Sequence, residues 1–429
     1  MTPTRRDFLA GAAALSTLAL HDDWLPRVEA AVNRAGGRPP EALAGDESFW
    51  FEVQQAFAVD RSVINLNNGG VSPSPRVVQD ALRRHLEFAN QLPAYNQESI
   101  LKPQVETVRR GLARTFGCDV EEMALTRNAS ESLEICLLGF DLEPGDEVLS
   151  TTHDYPRMLT TLKQREVRDG IKLVQIEIPA PARDPGDIVE AFARAVTPKT
   201  RLILCSHVVF VTGQILPVRE ICRLGRELDI PVIVDGAHAF AHFPFTRDEI
   251  GCDYYGTSLH KWLTACFGTG FLSVRKDKIA PLWPLMAAPD NLAADIRKFE
   301  EIGTHPYANK LAISEALALH NAIGPERKAA RLRFLRDRWA QRLAADRRVS
   351  FYTRLEPEHC CGIATLRVEG LEIDKLQRYL WERRRILTVY INYNGVVGLR
   401  VSPNVYTTVD EVDAFATAVE EVLANGLPT

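Results

Sequence analysis

Between residues 100 and 280, short apolar runs alternate with stretches in which apolar residues recur at helical spacing. Val105, Val108, Leu112 and Phe116 fall on one helical face, and Gly117 follows as a helix stop. Strands that alternate with helices need crossover connections, which build a mainly parallel sheet. The apolar runs predict buried strands at Met123–Thr126, Glu147–Ser150, Lys172–Ile178, Arg201–Ser206, Val232–Asp235, Tyr254–Thr257 and Gly270–Val274.

The end of the chain has a different pattern, after a Pro-rich stretch at 281–306 and long helical patterns at 307–345. It favours a small α+β domain, with its elements in the order strand, helix, strand, strand, helix. These elements are predicted at Gly362–Val368, Ile373–Arg383, Ile386–Ile391, Val396–Val401 and Val409–Ala424. We therefore expect a linker and N-terminal segment at 31–75, a large domain at 76–310, and connecting helices with a small C-terminal domain at 311–429.

Composition fits a globular enzyme: 46% of the 429 residues are apolar and 25% are charged. The net charge is −5, from 51 basic and 56 acidic residues. Since no long run of one sign occurs, nucleic acid is not an expected partner. The 8 cysteines form no C-x-x-C pair and are too sparse for a disulfide scaffold.

The chain opens with a pattern typical of an export signal. Arg5 and Arg6 precede Phe8, Leu9 and a short, weakly apolar stretch, which together resemble a twin-arginine signal. The stretch is too short to span a bilayer as a mature helix. We expect residues 1–30 to be a signal peptide read by the twin-arginine export machinery, or an uncut anchor, and the protein to be periplasmic.

Lys261 is the candidate reactive group. It follows Ser258 and His260 in an apolar region after a predicted strand, and Asp235 ends another strand about 25 residues earlier. Desolvation opposes the charge of a buried lysine, so lysine is rarely buried without a function. An amine in this position is suited to covalent attachment to an aldehyde.

A second candidate lies where the strand ending at Thr126 turns into a helix. Asn128 and Glu131 have capping-box spacing, so backbone N–H groups near Ala129 and Ser130 are expected to point outward. A helix N-terminus of this kind is a ready anion site.

Together these segments resemble the class V aminotransferase family, over roughly residues 60–425. The resemblance implies a fold type I enzyme dependent on pyridoxal 5′-phosphate (PLP), with a three-layer α/β/α large domain and a small α+β domain; the isopenicillin-N-epimerase-like subgroup is the most similar. It implies that Asp235 faces the pyridine nitrogen, with His238 beside the ring. Lys261 would hold the cofactor and move the α-proton.

The same resemblance implies further contacts. Ala129, Ser130, Ser258 and His260 would bind the phosphate. His153 is the first choice to stack on the ring and Tyr155 the second, although the sequence alone does not separate the two. Thr304 would reach the PLP phosphate of a partner subunit, which implies a homodimer.

Substrate contacts are implied as well. Arg400 would pair with the substrate carboxylate, and Asn68 lies in a segment that resembles the family's substrate-side loop. Val209 and Phe210 stand where many members carry an asparagine that contacts the phenolic oxygen of PLP. That oxygen needs another donor, or Thr212 takes part.

Other motifs are absent or incomplete. His238 and His242 have i, i+4 spacing, but the position after His238 is Ala239 instead of the glutamate of a metalloprotease, so we expect no metal. There is no G-x-G-x-x-G after a strand and no G-x-S-x-G.

Several functions fit this sequence. Transamination, epimerisation and C–S lysis at an α-carbon use the same residues. Cysteine desulfuration needs a mobile cysteine before the carboxylate-binding arginine, and residues 381–399 contain none. A non-catalytic binding protein on the same scaffold is disfavoured by the joint presence of Lys261, Asp235 and Arg400. The expected substrate is an amino acid, or an amino-acid unit of a secreted or periplasmic metabolite such as a peptide siderophore.

Overall fold

The computed structural model describes residues 24–428. The predicted export signal, with Arg5 and Arg6, lies outside the described residues except for its last positions, which begin the first described helix. The strands are β1 (Ile64–Asn65), β2 (Met123–Thr126), β3 (Glu147–Thr151), β4 (Lys172–Ile176), β5 (Thr200–Ser206), β6 (Val232–Asp235), β7 (Tyr254–Ser258), β8 (Gly270–Val274), β9 (Val349–Phe351), β10 (Ala364–Val368), β11 (Ile386–Leu387), β12 (Val389–Tyr393) and β13 (Val396–Val401).

Helices connect most of these strands, and the apolar stripes in the sequence form their buried faces. Gly117 ends one of them in the left-handed conformation, with φ of 75°, as its position after Phe116 predicts. The helices are α1 (Trp24–Ala35), α2 (Pro40–Ala44), α3 (Glu47–Gln55), α4 (Arg76–Gln91), α5 (Pro93–Tyr95), α6 (Lys102–Phe116), α7 (Ala129–Gly139), α8 (Pro156–Asp169), α9 (Pro185–Ala195), α10 (Val218–Glu227), α11 (Arg247–Ile250), α12 (Lys276–Ile279), α13 (Tyr307–Leu311), α14 (Ile313–Ile323), α15 (Pro325–Leu343), α16 (Ile373–Arg384) and α17 (Val409–Asn425).

The large domain is built on a mixed, mainly parallel sheet with the order β2-β8-β7-β6-β5-β3-β4. Strand β8 runs antiparallel to both of its neighbours, while β3 to β7 pair in parallel. Alternate residues face opposite sides: Val148 and Ile233 pack in the cluster that contains α7 and α8. Leu149 and Val234 pack in the cluster with α6 and α10. The three-layer α/β/α arrangement is confirmed.

The small domain has an antiparallel sheet of order β12-β13-β10-β9, covered by α15, α16 and α17. The N-terminal segment joins it, because β1 pairs in parallel with β11 and Leu66 lies in the same core. This pairing is absent from the sequence-based expectation, since two residues are too short to give a strand pattern.

The structure differs from the expected linker within residues 31–75. Helices α1, α2 and α3 occupy its first part, and Trp50 and Val53 are buried in the main core. Asp46 caps α3 by accepting a hydrogen bond from the backbone N–H of Ser48. In the sequence, the Gly and Pro residues before position 46 made the helical periodicity of this segment hard to recognise. None of the helices formed by residues 24–428 combines the length and apolar character needed to cross a bilayer.

Candidate active site

A cavity of about 760 Å³ lies where β5, β6 and β7 end. Parallel strands present their carboxyl ends at one edge of the sheet, where loops form the usual binding crevice. Most of the residues that the sequence singled out converge there. These are Ala129, Ser130, Tyr155, Asp235, His238, Ser258, His260 and Lys261.

Lys261 is partly buried in this cavity, and its Nζ lies 3.1 Å from Nε2 of His238. Burial lowers the pKa of Lys261 to about 8; attraction to Asp235 opposes this shift, and repulsion from Arg400 adds to it. Burial also holds the pKa of His238 well below its usual range, so this imidazole is neutral. The buried Nδ1 of His238 has no hydrogen-bond partner among residues 24–428.

Asp235 lies at the end of β6 and is 8% exposed. Its Oδ1 accepts a hydrogen bond of 2.9 Å from the backbone N–H of Ala237. Burial raises the pKa of Asp235 to about 6, against the attraction of Lys261. A carboxylate in this state gains from a buried cationic partner, because that partner offsets its desolvation.

The N-terminus of α7 forms another wall. The side chain of Asn128 accepts a hydrogen bond from the backbone N–H of Glu131, which is one half of the capping box that their spacing predicts. The Glu131 carboxylate accepts from the backbone N–H of Arg127 instead of completing the other half. The backbone N–H of Ala129 donates to Oγ of Ser258 at 2.9 Å. Neither the N–H nor the hydroxyl of Ser130 has a protein partner in the described part of the chain. Donors at this helix end are therefore available for an anion.

His260 lines the cavity beside these donors. Burial lowers its pKa, and its Nδ1 is buried with no hydrogen-bond partner within residues 24–428. Its backbone carbonyl accepts a hydrogen bond from the N–H of Ser72 at 3.0 Å, which ties the lysine loop to the N-terminal segment.

The structure brings Tyr155, and not His153, to this cavity. His153 lines a separate cavity of about 480 Å³, where its Nε2 lies 3.1 Å from the carbonyl oxygen of Asn394. Asp154 explains the orientation, because its buried carboxylate accepts hydrogen bonds from Ser150 and Ser206. This fixes the turn with residues 153 and 155 on different sides.

Arg400, on β13, is 6% exposed, does not line the main cavity and has no carboxylate partner within the described residues. Its Nη1 donates to the carbonyl oxygen of Phe210 at 2.8 Å, and its Nη2 donates to Oδ1 of Asn67 at 3.1 Å. Its buried Nε has no partner among residues 24–428. Burial lowers the pKa of Arg400 to about 10. A buried guanidinium without a counter-ion is a candidate anion contact.

Asn68, the residue expected to contact substrate, has its amide committed to the protein. Its Oδ1 accepts a hydrogen bond of 2.6 Å from the Tyr406 hydroxyl, and its Nδ2 donates to the carbonyl oxygens of Asn65 and Ser402. It is fully buried. Its position is that of a structural clamp, and the contact to Arg400 belongs to its neighbour Asn67.

Sequence reasoning missed two residues: Asn67, which contacts Arg400, and Gly70, which lines the cavity. Both lie in the same loop as Asn68, so the signal marked the right segment. Which residue of the loop contacts Arg400 depends on the bridge between Asn67 and Ser402, a long-range pairing that sequence spacing does not reveal.

Thr304 is exposed and does not line the main cavity. The residue before it, Gly303, has a φ of 73°. Its contact with a partner subunit stays a prediction.

His242 stands behind the lysine loop. Its ring stacks on Trp262, the residue after Lys261, at 3.6 Å between ring centroids and an interplanar angle of 0°. Its Nδ1 donates to the carbonyl oxygen of His238 at 2.8 Å, and its Nε2 accepts a hydrogen bond of 2.8 Å from the N–H of Gly362. The segment leading into β10 is thus joined to both loops that carry cavity residues.

Lys328 supports the same loop from α15. Its buried Nζ donates to the carbonyl oxygen of Trp262. Burial lowers its pKa to about 7. It does not line the main cavity, so it differs from Lys261 in access.

The two positions at which the family resemblance implied an asparagine, Val209 and Phe210, are apolar in the structure. Phe210 lines the cavity, and Val209 is buried beside it. Thr212 is buried away from the cavity, and its Oγ1 accepts a hydrogen bond from the N–H of Gln214. Thr212, which the sequence analysis named as a possible donor to the phenolic oxygen of PLP, is therefore not at the site.

Metal and cysteine chemistry find no support in the cavity. Among residues 24–428, no group of three or more His, Cys, Asp and Glu side chains is arranged to hold a metal ion. None of the 8 cysteines lines the main cavity, and Cys360 and Cys361 are buried.

Comparison with known proteins gives consistent matches. The profile of the family described as aminotransferase class V matches residues 64–415. Isopenicillin N epimerase from Streptomyces clavuligerus is 33% identical over 392 residues, covering 86% of this chain and 98% of that protein. Hercynylcysteine sulfoxide lyase from Schizosaccharomyces pombe is 21% identical, covering 85% of this chain and 95% of the lyase.

A solved structure of a mutant of C-DES, with glycine covalently linked to its PLP cofactor, has the same fold. The TM-score is 0.74 at 23% identity, covering 83% of this chain and 96% of that one.

Proposed function

The chain belongs to the class V aminotransferase family, and from this premise we propose that it is a PLP-dependent enzyme acting at the α-carbon of an amino acid or of an amino-acid unit in a larger metabolite. The observation that carries the proposal is the cavity that holds the Lys261 amine, with a pKa of about 8, beside the buried Asp235 carboxylate. An amine that loses its proton near neutral pH is suited to bind an aldehyde covalently.

The side chains present fit this cofactor. Ser130 offers an unused N–H and hydroxyl at the start of α7, where the helix dipole favours a phosphate. Ser258 and His260 lie at the same wall and would complete the phosphate contact. The Asp235 carboxylate would pair with a pyridinium nitrogen. That partner would offset the desolvation that raises the pKa of Asp235.

Tyr155 and His238 would bound the cofactor ring. Of His153 and Tyr155, the two residues considered for stacking on the ring, only Tyr155 lines the cavity. The unpartnered Nδ1 of His238 is a donor for the phenolic oxygen, a role that Thr212 is not placed to fill. When bound, PLP withdraws electrons from the α-carbon of an attached amine and so acidifies its α-proton.

The remaining roles belong to Lys261 and Arg400. Nζ of Lys261, once released, would take the α-proton and return it. Arg400 would bind the substrate carboxylate and so fix which substituent of the α-carbon faces that amine. Its unpartnered Nε and its missing counter-ion support this role.

Epimerisation or transamination fits the site better than sulfur transfer. The likeness to isopenicillin N epimerase covers most of both chains. A desulfurase would need a mobile cysteine to accept sulfur, and none of the 8 cysteines lines the cavity. C–S lysis needs no such cysteine, and the likeness to hercynylcysteine sulfoxide lyase keeps it as the second candidate.

Two further parts of the proposal concern assembly and location. We propose a homodimer in which the exposed Thr304 reaches the partner's phosphate site. We also propose export to the periplasm by the twin-arginine route, because Arg5, Arg6, Phe8 and Leu9 match its signal. Its substrate would then be a secreted or periplasmic amino metabolite.

Incubation of the purified holoenzyme with a panel of amino compounds in deuterated water tests the reaction. α-Deuteration with inversion indicates epimerisation, keto-acid formation indicates transamination, and sulfur release indicates lysis. A colourless protein that exchanges no α-proton would contradict the proposal. Molar mass in solution tests the dimer.

A further inference from the structure

The rings of Tyr155 and Phe210 meet nearly at a right angle on the cavity wall. Their centroids are 5.5 Å apart and their planes are inclined at 86°. Both residues line the cavity, and Val208 and Pro156 extend the same apolar surface. Tyr393 packs behind Phe210 at 5.6 Å between ring centroids.

Arg400 contacts the backbone of this corner. Its Nη1 donates to the backbone carbonyl oxygen of Phe210 at 2.8 Å, so the guanidinium lies against the residue whose ring lines the cavity, although Arg400 itself does not line it. In an α-amino acid only two bonds separate the carboxyl carbon from the first side-chain carbon. A carboxylate bound at Arg400 therefore brings its own side chain within reach of Phe210.

The lining of the cavity also includes polar groups on other elements: Glu134 from α7, Arg157 and Gln164 from α8, and the groups suited to a phosphate from the start of α7. Phe210 lines the cavity and is only partly buried, which leaves apolar ring surface open to a ligand. Covering such surface is favourable, since it removes apolar area from water.

We propose that Phe210, held edge-on by Tyr155, forms an apolar subsite for the substrate side chain, near the proposed carboxylate contact of Arg400. The proposal rests on the function proposed above and adds a substrate class: carboxylic amino compounds whose reacting carbon bears a large apolar or aromatic side chain.

Carboxylates without an amino group test the subsite without requiring turnover. Binding of 3-phenylpropionate, 4-methylpentanoate and glutarate to the holoenzyme is measured by calorimetry. Burying one apolar side chain favours 3-phenylpropionate over glutarate by roughly 10- to 100-fold. Phe210→Ala should bring that ratio to within a few-fold of one, and Phe210→Leu should retain part of it.

Two controls separate the possible causes. Tyr390→Ala removes a partly exposed aromatic ring from the same strand as Tyr393, outside the cavity, and should leave all three affinities unchanged. Arg400→Ala should weaken all three ligands, because each binds through a carboxylate. If Phe210→Ala fails to fold, Phe210→Leu and the wild-type selectivity still decide.

Equal affinity for 3-phenylpropionate and glutarate in the wild-type protein would overturn the subsite, as would equal losses for all three ligands in Phe210→Leu. The proposed cofactor chemistry is judged separately, by the visible absorbance and the mass of the trapped Lys261 adduct. Failure of the subsite and failure of the PLP proposal are thus distinguishable.

Discussion

Nζ of Lys261 and Nε2 of His238 lie 3.1 Å apart in a cavity where burial lowers the pKa of both groups. The neutral imidazole accepts a hydrogen bond from the amine without adding positive charge beside it. Asp235 supplies the opposing attraction that keeps the pKa of the lysine near 8. The amine is thereby held in a state from which it can lose or regain a proton near neutral pH.

Lys261→Ala should abolish the covalent attachment of the cofactor to the protein and almost all turnover, because both attachment and proton transfer need this amine, while PLP can still bind through its phosphate. Borohydride reduction followed by peptide mapping checks the attachment site. Lys328→Met is the matched control: Lys328 is also a buried amine with a lowered pKa, but it lies outside the cavity. A reduced adduct on any lysine other than Lys261 would show the assignment to be wrong.

The rate at which cofactor-free protein incorporates PLP should rise with pH and level off above about pH 9. The reason is that only the neutral amine attacks an aldehyde, and the pKa of Lys261 is lowered to about 8. At pH 7 about a tenth of the amine is neutral, and at pH 9 about nine tenths. Stopped-flow absorbance gives the midpoint. A rise that continues beyond pH 10 would mean that the amine has the pKa of an ordinary lysine.

Arg400→Ala should lower kcat/KM by roughly 30- to 1,000-fold, since a desolvated bidentate contact contributes on the order of 2–4 kcal/mol. The visible absorbance of the holoenzyme should change little, because this residue is not proposed to touch PLP. Arg400→Lys should recover only part of the loss, as an ammonium keeps the charge without the fork. Steady-state kinetics with paired free-acid and amide substrates provides the check. Equal use of both by the wild-type enzyme would exclude the carboxylate role.

His242→Phe should lower the free energy of unfolding by about 2–6 kcal/mol. The substitution keeps a ring to stack on Trp262 but leaves the carbonyl of His238 and the N–H of Gly362 buried without partners, at about 1–3 kcal/mol each. Denaturant unfolding measures the loss. His320→Leu is the control, because it removes a buried imidazole whose Nδ1 has no partner among residues 24–428. Similar losses in both variants would point to cavity formation instead of hydrogen bonding.

Replacing Arg5 and Arg6 together with lysine should leave folded, active enzyme in the cytoplasm, because the twin-arginine machinery reads the arginine pair. Cell fractionation with an activity assay is the measurement. Replacing Arg34 and Arg38 with lysine gives a control with the same chemical change downstream of the signal. Normal arrival of the Arg5, Arg6 double variant in the periplasm would contradict the export proposal.

The sequence predicted much of the large domain, and the reason lies in its strands. Val232–Asp235 and Gly270–Val274 are short, almost wholly apolar runs, and their observed bounds are the predicted ones. Asp235 and Lys261 could be paired from sequence because each follows such a run, and a parallel sheet brings consecutive strand ends to one edge.

Side-chain direction within loops was beyond the sequence. The choice between His153 and Tyr155 depends on the buried carboxylate of Asp154, which accepts a hydrogen bond from Ser206 52 positions away. The exchange of Asn68 for Asn67 depends in the same way on contacts with the strand that carries Arg400. Such contacts are set by packing, and one sequence holds no local trace of them.

The hydrogen bonds of Asn68 also determine when this part of the chain can fold during translation. Its amide donates to the carbonyl of Ser402, 334 positions further along the chain. At 5–20 residues per second, the early segment waits roughly 20–70 s before its partner leaves the ribosome. During that interval β1 has no β11 to pair with, and the loop of Asn67 and Gly70 has no fixed course. One wall of the cavity is therefore among the last parts of the molecule to form, and the proposed export in the folded state would have to follow it.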